Sequence, residues 1–349
     1  MGLEVTGRYR YPSPDPVWLE RHDEPVIEPD LPIVDAHHHL WVEGGHPYLL
    51  DQLEADVTSG HRIAATVFVQ AGYAVRSDGP VSLRPVGETQ AVEAIRRDAV
   101  ARGMTCDVAA AIIAFADLTL GDRVAEILDA HSAASPAFRG VRHSVSHDPA
   151  FPDGIVIRPA PPGLLGDAGY RDGLRALARR GLTYDAMLYH GQIRELADVA
   201  RALPDLVIVL DHLGCLLGVG PYASGRDELI ARWADDMAAL AECPNVRVKL
   251  GGQGMIITGA RWHERPTPPT STELADAWRP LIHRTIDLFG ADRCLFESNF
   301  PVDKAMTSYR VLWNAFKRLA AGASPDERTA LFSGTATRTY RLKQVALAA

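Results

Sequence analysis

The segment Ile33-Val34-Asp35-Ala36-His37-His38-His39-Leu40-Trp41 sets two imidazoles two residues apart behind an apolar run. In an extended chain alternate side chains share a face, so His37 and His39 project together while His38 faces elsewhere. A His-x-His pair closing a strand offers half of a divalent-metal site, whereas a lone histidine is more often structural. Two more histidines close runs of the same kind, His190 in TYDAMLYH and His212 in LVIVLDHLG. Taken singly, His190 reads as a loop residue and His212 as a cap or core-rim residue. Taken together with His37 and His39, they put four of the thirteen histidines at strand ends, the arrangement expected of metal ligands.

The elements that must position them repeat one unit. Short β-branched or apolar runs at 33–39, 65–70, 108–115, 140–144, 183–188, 206–210, 246–250 and 294–297 read as strands. Helical stretches such as 172–180, 192–203, 227–241 and 271–289 lie between them. Eight strands alternating with helices predict an α/β chain folded as a (β/α)8 TIM barrel, with chemistry at the C-terminal strand ends. An open doubly wound sheet lacks its Gly-rich phosphate loop. The expected division is an N-terminal arm over 1–30 and a single barrel domain over 31–349. Two Pro/Gly-rich loops, near 146–169 and 251–272, follow the fourth and seventh strands, where a lid, a pocket wall or a subunit contact would sit.

Composition narrows the function. The 349 residues carry a net charge of -8, which argues against a nucleic-acid partner. No apolar run approaches the roughly 20 residues of a membrane span. The beginning MGLEVTGRYRYPSPDP has no apolar signal core and reads as a surface arm. The four cysteines (Cys106, Cys215, Cys243, Cys294) are scattered, without metal-type pairs. A cytoplasmic protein acting on a small molecule is expected.

The motifs VDAHHHLW, FRGVRHS, LVIVLDHLG, NVRVKLGG and CLFESNFPVD, spread from about residue 31 to 342, resemble the second family of the amidohydrolase superfamily, TIM-barrel metal-dependent hydrolases that include lactonases. The resemblance implies metal ligation by His37, His39, His190 and His212. It also implies an acid at the end of the eighth strand that binds metal and takes a proton from water. Here Asn299 holds that place, and an amide is no base at neutral pH. Glu297, which can share the face of Asn299, and Asp303 are the carboxylates that could substitute, although Asp303-Lys304 also reads as a helix-start charge pair. The fourth strand carries no acid. Arg142 and His143 suit an anionic substrate, since a guanidinium clamps a carboxylate through two bonds, and His143 or His147 could reach a metal. Glu88 is a candidate further ligand or an ordinary helix N-terminal acid. Lys249, inside the barrel, demands a substrate or Asp partner.

The resemblance implies a metal-dependent hydrolase opening a small lactone, amide or related acyl compound, with Arg142 and Lys249 steadying a carboxylate or oxyanion. The alternative is an iron-containing dinuclear oxygenase hydroxylating a small molecule, with zinc expected for hydrolysis and iron or manganese for oxygenation. Decarboxylation is a third reading. A catalytically silent subunit in a complex with a homologous chain is a fourth, and assembly as a homo-oligomer or such a hetero-oligomer is expected.

Overall fold

In the computed structural model, which describes residues 9–42, 47–157 and 159–343, eight parallel strands pair in chain order. They are β1 (Ile33–His38), β2 (Ile63–Val69), β3 (Asp107–Ala114), β4 (Phe138–Val141), β5 (Thr183–Ala186), β6 (Ile208–Leu210), β7 (Val246–Lys249) and β8 (Cys294–Leu295). The chain just beyond β8 returns to β1: His39 N donates to Phe300 O at 2.7 Å, and Asn299 N donates to His37 O at 2.9 Å. The sheet is thus a nearly closed barrel, as the eight alternating runs predict. Of the expected arm and barrel segments, residues 1–8, 43–46, 158 and 344–349 lie outside the described residues.

The helices form because their apolar residues recur at helical spacing. Ile193–Ala202 buries Ile193, Leu196, Ala197 and Ala200 against the sheet and exposes its charged face. Ser271–Phe289 starts at a capping box, in which Thr270 Oγ1 accepts from Glu273 N and the Glu273 carboxylate accepts from Thr270 N. Among the described residues, no helix is long and apolar enough to cross a membrane.

Inside the barrel the lower layer is apolar: Val34, Ala36, Val67, Ile113, Val209 and Leu295 pack with Tyr340 from the last helix. The layer above is ionic. Lys249, fully buried, donates to Asp185 Oδ2 at 2.7 Å and Asp211 Oδ1 at 2.8 Å, and its Nζ lies 3.2 Å from His37 Nδ1. Tyr340 Oη donates to Asp185 Oδ2 at 2.7 Å, tying the two layers together. The acid partner that a buried lysine demands is therefore a pair of acids.

A bulge in β1 links these layers to the site. Between Asp35 and His38 the register with β2 gains one residue, and such an insertion re-aims the side chains beyond it. Val34 and Ala36 thus pack inward, and so do His37 and His39, although they differ by an odd number of positions. His38 turns outward onto Phe68. Asp35 instead accepts from Ser298 N at 2.8 Å and from Tyr309 Oη at 2.9 Å.

Replacing Lys249 by Met would strip Asp185 of its ammonium partner and leave Asp211 only the more distant Arg142 guanidinium, 3.7 Å away. Urea unfolding at neutral pH is expected to register a loss of about 3–5 kcal/mol, the cost of breaking a buried ion pair from one side.

Candidate active site

At the C-terminal strand ends, three imidazoles and a carboxylate meet. His37 Nε2 and His39 Nε2 are 3.2 Å apart. Glu297 Oε1 accepts from His212 Nδ1 at 2.7 Å and from Gly251 N at 3.2 Å, while Oε2 lies 3.0 Å from His37 Nδ1. One carboxylate therefore spans two rings. His39 Nδ1 faces Val69 O at 2.8 Å, so its proton is on that nitrogen and Nε2 carries a lone pair.

The backbone is bent to achieve this. Asp211 and His212 are consecutive yet both face the interior, because His212 (φ 54) and Leu213 (φ 57) adopt left-handed conformations. Asn299 (φ 55) does the same. Left-handed non-glycine residues persist only where surrounding structure holds them, and they concentrate at functional sites. Gly252, also left-handed (φ 71), lies so close that a Cβ there would be 2.5 Å from His212 Cγ.

Burial and neighbouring charge set the protonation states. Burial, then Lys249, keeps the His37 pKa below its ordinary value, and burial, then His37, keeps His39 well below. Both are neutral and able to ligate. Burial opposes charge on His212, but the Glu297 carboxylate overrides it and raises that pKa. Burial alone would raise Glu297, but His212 and His37 hold it below the usual carboxylate range. Asp303 behaves oppositely. Burial lifts its carboxyl to about 7, against the bond it accepts from Gly254 N at 2.9 Å.

A small cavity of about 80 Å³ opens above the cluster, with His39, His212, Arg142, Ser144, Asn299 and Trp41 among its walls. Arg142 Nη1 is 3.4 Å from His37 Nε2 and 3.7 Å from Asp211 Oδ2, and Nη2 donates to Gln70 O. Asn299 Nδ2 donates to Asp303 Oδ1 at 2.9 Å, which places Asp303 directly behind the cavity wall.

The donor chemistry suits a divalent cation. The donor atoms of His37, His212 and Glu297 lie within 4.8 Å of one another, with His39 Nε2 beside His37. Asp211 Oδ2 is buried without a hydrogen-bond partner among the described residues. Ligation through His37 Nε2 requires the tautomer with its proton on Nδ1, where Glu297 Oε2 stands to receive it. Imidazoles with a carboxylate fit zinc, iron or manganese.

Several expected residues stand elsewhere. On β5 the inward position is Asp185, and just beyond its end Met187 reaches the cavity wall. His190 falls on the opposite alternation, packs edge-on against Tyr222 at 5.0 Å, and takes Leu217 N on its Nδ1. It does not join the cluster. His143 likewise alternates with the inward Arg142 and Ser144; it lies against Phe115 and Tyr170. His147 Nδ1 faces Ala160 O. Glu88 is buried, but its Oε1 accepts from Ala71 N and Tyr73 N, both at 2.8 Å, and secures the turn after β2. Sequence reasoning missed Asp185, Asp211, Met187 and Tyr11. The demand of Lys249 for a substrate or Asp partner, joined to strand alternation, could have singled out the two aspartates; nothing local pointed to Tyr11.

A (β/α)8 barrel with histidines and a carboxylate gathered at its strand ends defines a class of metal-assisted enzymes. The amidohydrolase family matches residues 34–342, and the chain belongs to that family as an amidohydrolase-type enzyme. The uncharacterised protein y4mH of Sinorhizobium fredii is 32% identical, the match covering 90% of this chain and 99% of that one. An L-fucono-1,5-lactonase of Burkholderia ambifaria is 27% identical over 88% of this chain and 95% of its own. An amidohydrolase of Burkholderia multivorans solved with bound zinc shares the fold, with a TM-score of 0.66 and 24% identity over 89% of this chain and 99% of that one.

Gly252→Ala tests how tightly the site is packed. A methyl 2.5 Å from the His212 ring on a left-handed backbone is expected to cost about 1–3 kcal/mol in unfolding measurements and to depress whatever activity the cavity supports.

Proposed function

We propose that the protein hydrolyses a small lactone, with a divalent cation held by His37, His39 and His212 and with Glu297 orienting the rings. The observation carrying this reading is Glu297 spanning the Nδ1 atoms of His37 and His212 beneath a cavity walled by Arg142 and Asn299. The L-fucono-1,5-lactonase relative supports the choice of a lactone. A cation so held acts as a Lewis acid and acidifies water near neutral pH.

The chain's own groups supply the remaining chemistry. Arg142 offers its guanidinium to a substrate carboxylate or to the oxyanion that develops on the carbonyl oxygen. Asn299, its amide nitrogen engaged by Asp303, keeps Oδ1 to accept from water and aim it. Asp303 takes the proton as the water oxygen bonds to the carbonyl carbon. As the ring C–O bond breaks, the same carboxyl returns a proton to the leaving oxygen. Glu297 is less suited to that duty, since two imidazoles hold its carboxyl below the usual range, whereas burial lifts Asp303 to about 7. Met187, Met255 and Trp41 give the cavity an apolar side that limits bulk water.

The dinuclear oxygenase reading needs more carboxylate ligands. Glu88 is committed to backbone amides, and the described residues hold one metal-type group. That favours hydrolysis.

Elemental analysis of protein purified without added metal is expected to find about one divalent ion per chain, with His37→Ala and chelators abolishing both the ion and turnover of aldonolactones. Iron together with substrate-dependent dioxygen consumption would overturn the reading in favour of hydroxylation. Absence of turnover by the metal-loaded chain, restored by a homologous partner, would instead mark a silent subunit.

The proton-transfer role has its own signature. The Asp303 carboxyl, lifted by burial to about 7, is the active base only when ionised. Turnover is therefore expected to fall as pH drops through about 7, with a one-proton slope. Asp303→Asn is expected to remove that limb and lower kcat by about 100-fold or more; a profile identical to that of the wild-type protein would rule the assignment out.

A further inference from the structure

The matched family region begins at residue 34, yet Tyr11 stands on the wall of the same cavity as His39, Arg142, His212 and Asn299. Two tethers hold this part of the chain over the barrel mouth. On one side Tyr9 N donates to Ile155 O at 2.8 Å, and the Tyr9 ring meets Phe151 edge-on at 6.4 Å. Both partners belong to the long loop after β4. On the other side the buried Trp18 donates Nε1 to Arg265 O at 2.8 Å, on the long loop after β7. The arm expected on the surface is thus strapped across both loops, with Tyr11 between the two fastenings.

Tyr11 is aimed inward but poorly satisfied there. Its hydroxyl meets Met255 Sδ at 3.8 Å, and a thioether is a weak acceptor. Burial pushes the phenol pKa up, so the group remains a donor. Arg142, on the same wall, has a buried Nε with no partner among the described residues. A buried donor left without a strong acceptor costs free energy that an incoming oxygen atom recovers. A ligand rich in acceptor oxygens satisfies the buried Arg142 Nε and gives the half-buried Tyr11 hydroxyl a stronger acceptor than the thioether, which an apolar ligand does not.

We propose that Tyr11 is a substrate-binding residue: its hydroxyl and Arg142 Nε together donate hydrogen bonds to the oxygens of a hydroxylated lactone or of the carboxylate it becomes. The inference deepens the lactonase reading and rests on it for the identity of the ligand. The barrel supplies the reacting centre, and the N-terminal arm supplies selectivity from outside the shared family region.

The test compares wild type, Tyr11→Phe and Tyr11→Ala. Steady-state turnover of L-fucono-1,5-lactone is read alongside calorimetric binding of L-fuconate, its open carboxylate. Removing the hydroxyl is expected to raise KM for the lactone and Kd for the carboxylate by about five- to tenfold, with the loss falling on KM rather than kcat. Tyr11→Ala is expected to exceed it. Unchanged KM and Kd in both variants overturn the proposal. If wild type turns over no aldonolactone, the lactonase reading fails separately, and calorimetry with citrate as a plain carboxylate probe decides the role of Tyr11. Weaker citrate binding in Tyr11→Phe sustains it; equal binding, or none to wild type, overturns it.

Discussion

The ammonium of Lys249, sealed in the barrel between Asp185 and Asp211, is the contact on which the rest of the site depends. A lone charge in that position would be prohibitively costly, and three ionised groups become tolerable only because each bond is short and well directed. Burial disfavours charge on Lys249, but the carboxylates around it reverse that and raise its pKa, while Asp211 is driven well below its ordinary value. The cluster forms a rigid floor. His37 stands over it, with Nδ1 3.6 Å from Asp211 Oδ1, and Glu297 joins that ring to His212. The imidazoles are thereby oriented by charge as well as by packing.

Backbone geometry does the remaining positioning. A bulge in β1 turns His37 and His39 inward above the apolar layer. Left-handed conformations at His212 and Asn299 bring side chains inward that regular strand alternation would send elsewhere. Gly251 and Gly252 let the chain after β7 pass against Glu297 and His212 without side chains of their own. Strain of this kind is stable when a rigid barrel over-determines it, and it places acid, amide and imidazole within a few ångströms of one another.

Much of this was legible beforehand. The eight apolar runs coincide with the eight strands to within a few residues, because β-branched runs between helical periods leave little choice of element. The inward pairing of His37 and His39 followed from alternation, and the acid partner of Lys249 followed from the cost of burying an amine. His190 shows where such reasoning fails. Met187 reaches the cavity wall just beyond the end of β5 and His190 does not, because the chain leaves the strand after Ala186 and the alternation there is set by Asp185 at the ionic floor. Glu88 illustrates a different failure, since its carboxylate serves backbone amides that no motif announces.

By itself, the order of residues determined the barrel, the metal-type histidines of its first strand, and the presence of an amide where an acid is usual. Those features are local: they depend on residue type, periodicity and the two-residue repeat of a strand. Only the tertiary structure decided that Glu297 spans two imidazoles, that burial lifts the Asp303 carboxyl behind Asn299 to about 7, and that Tyr11 crosses from the arm to the cavity. Each of these depends on groups far apart in the chain whose proximity, and whose shared exclusion from water, exists only once the barrel has closed.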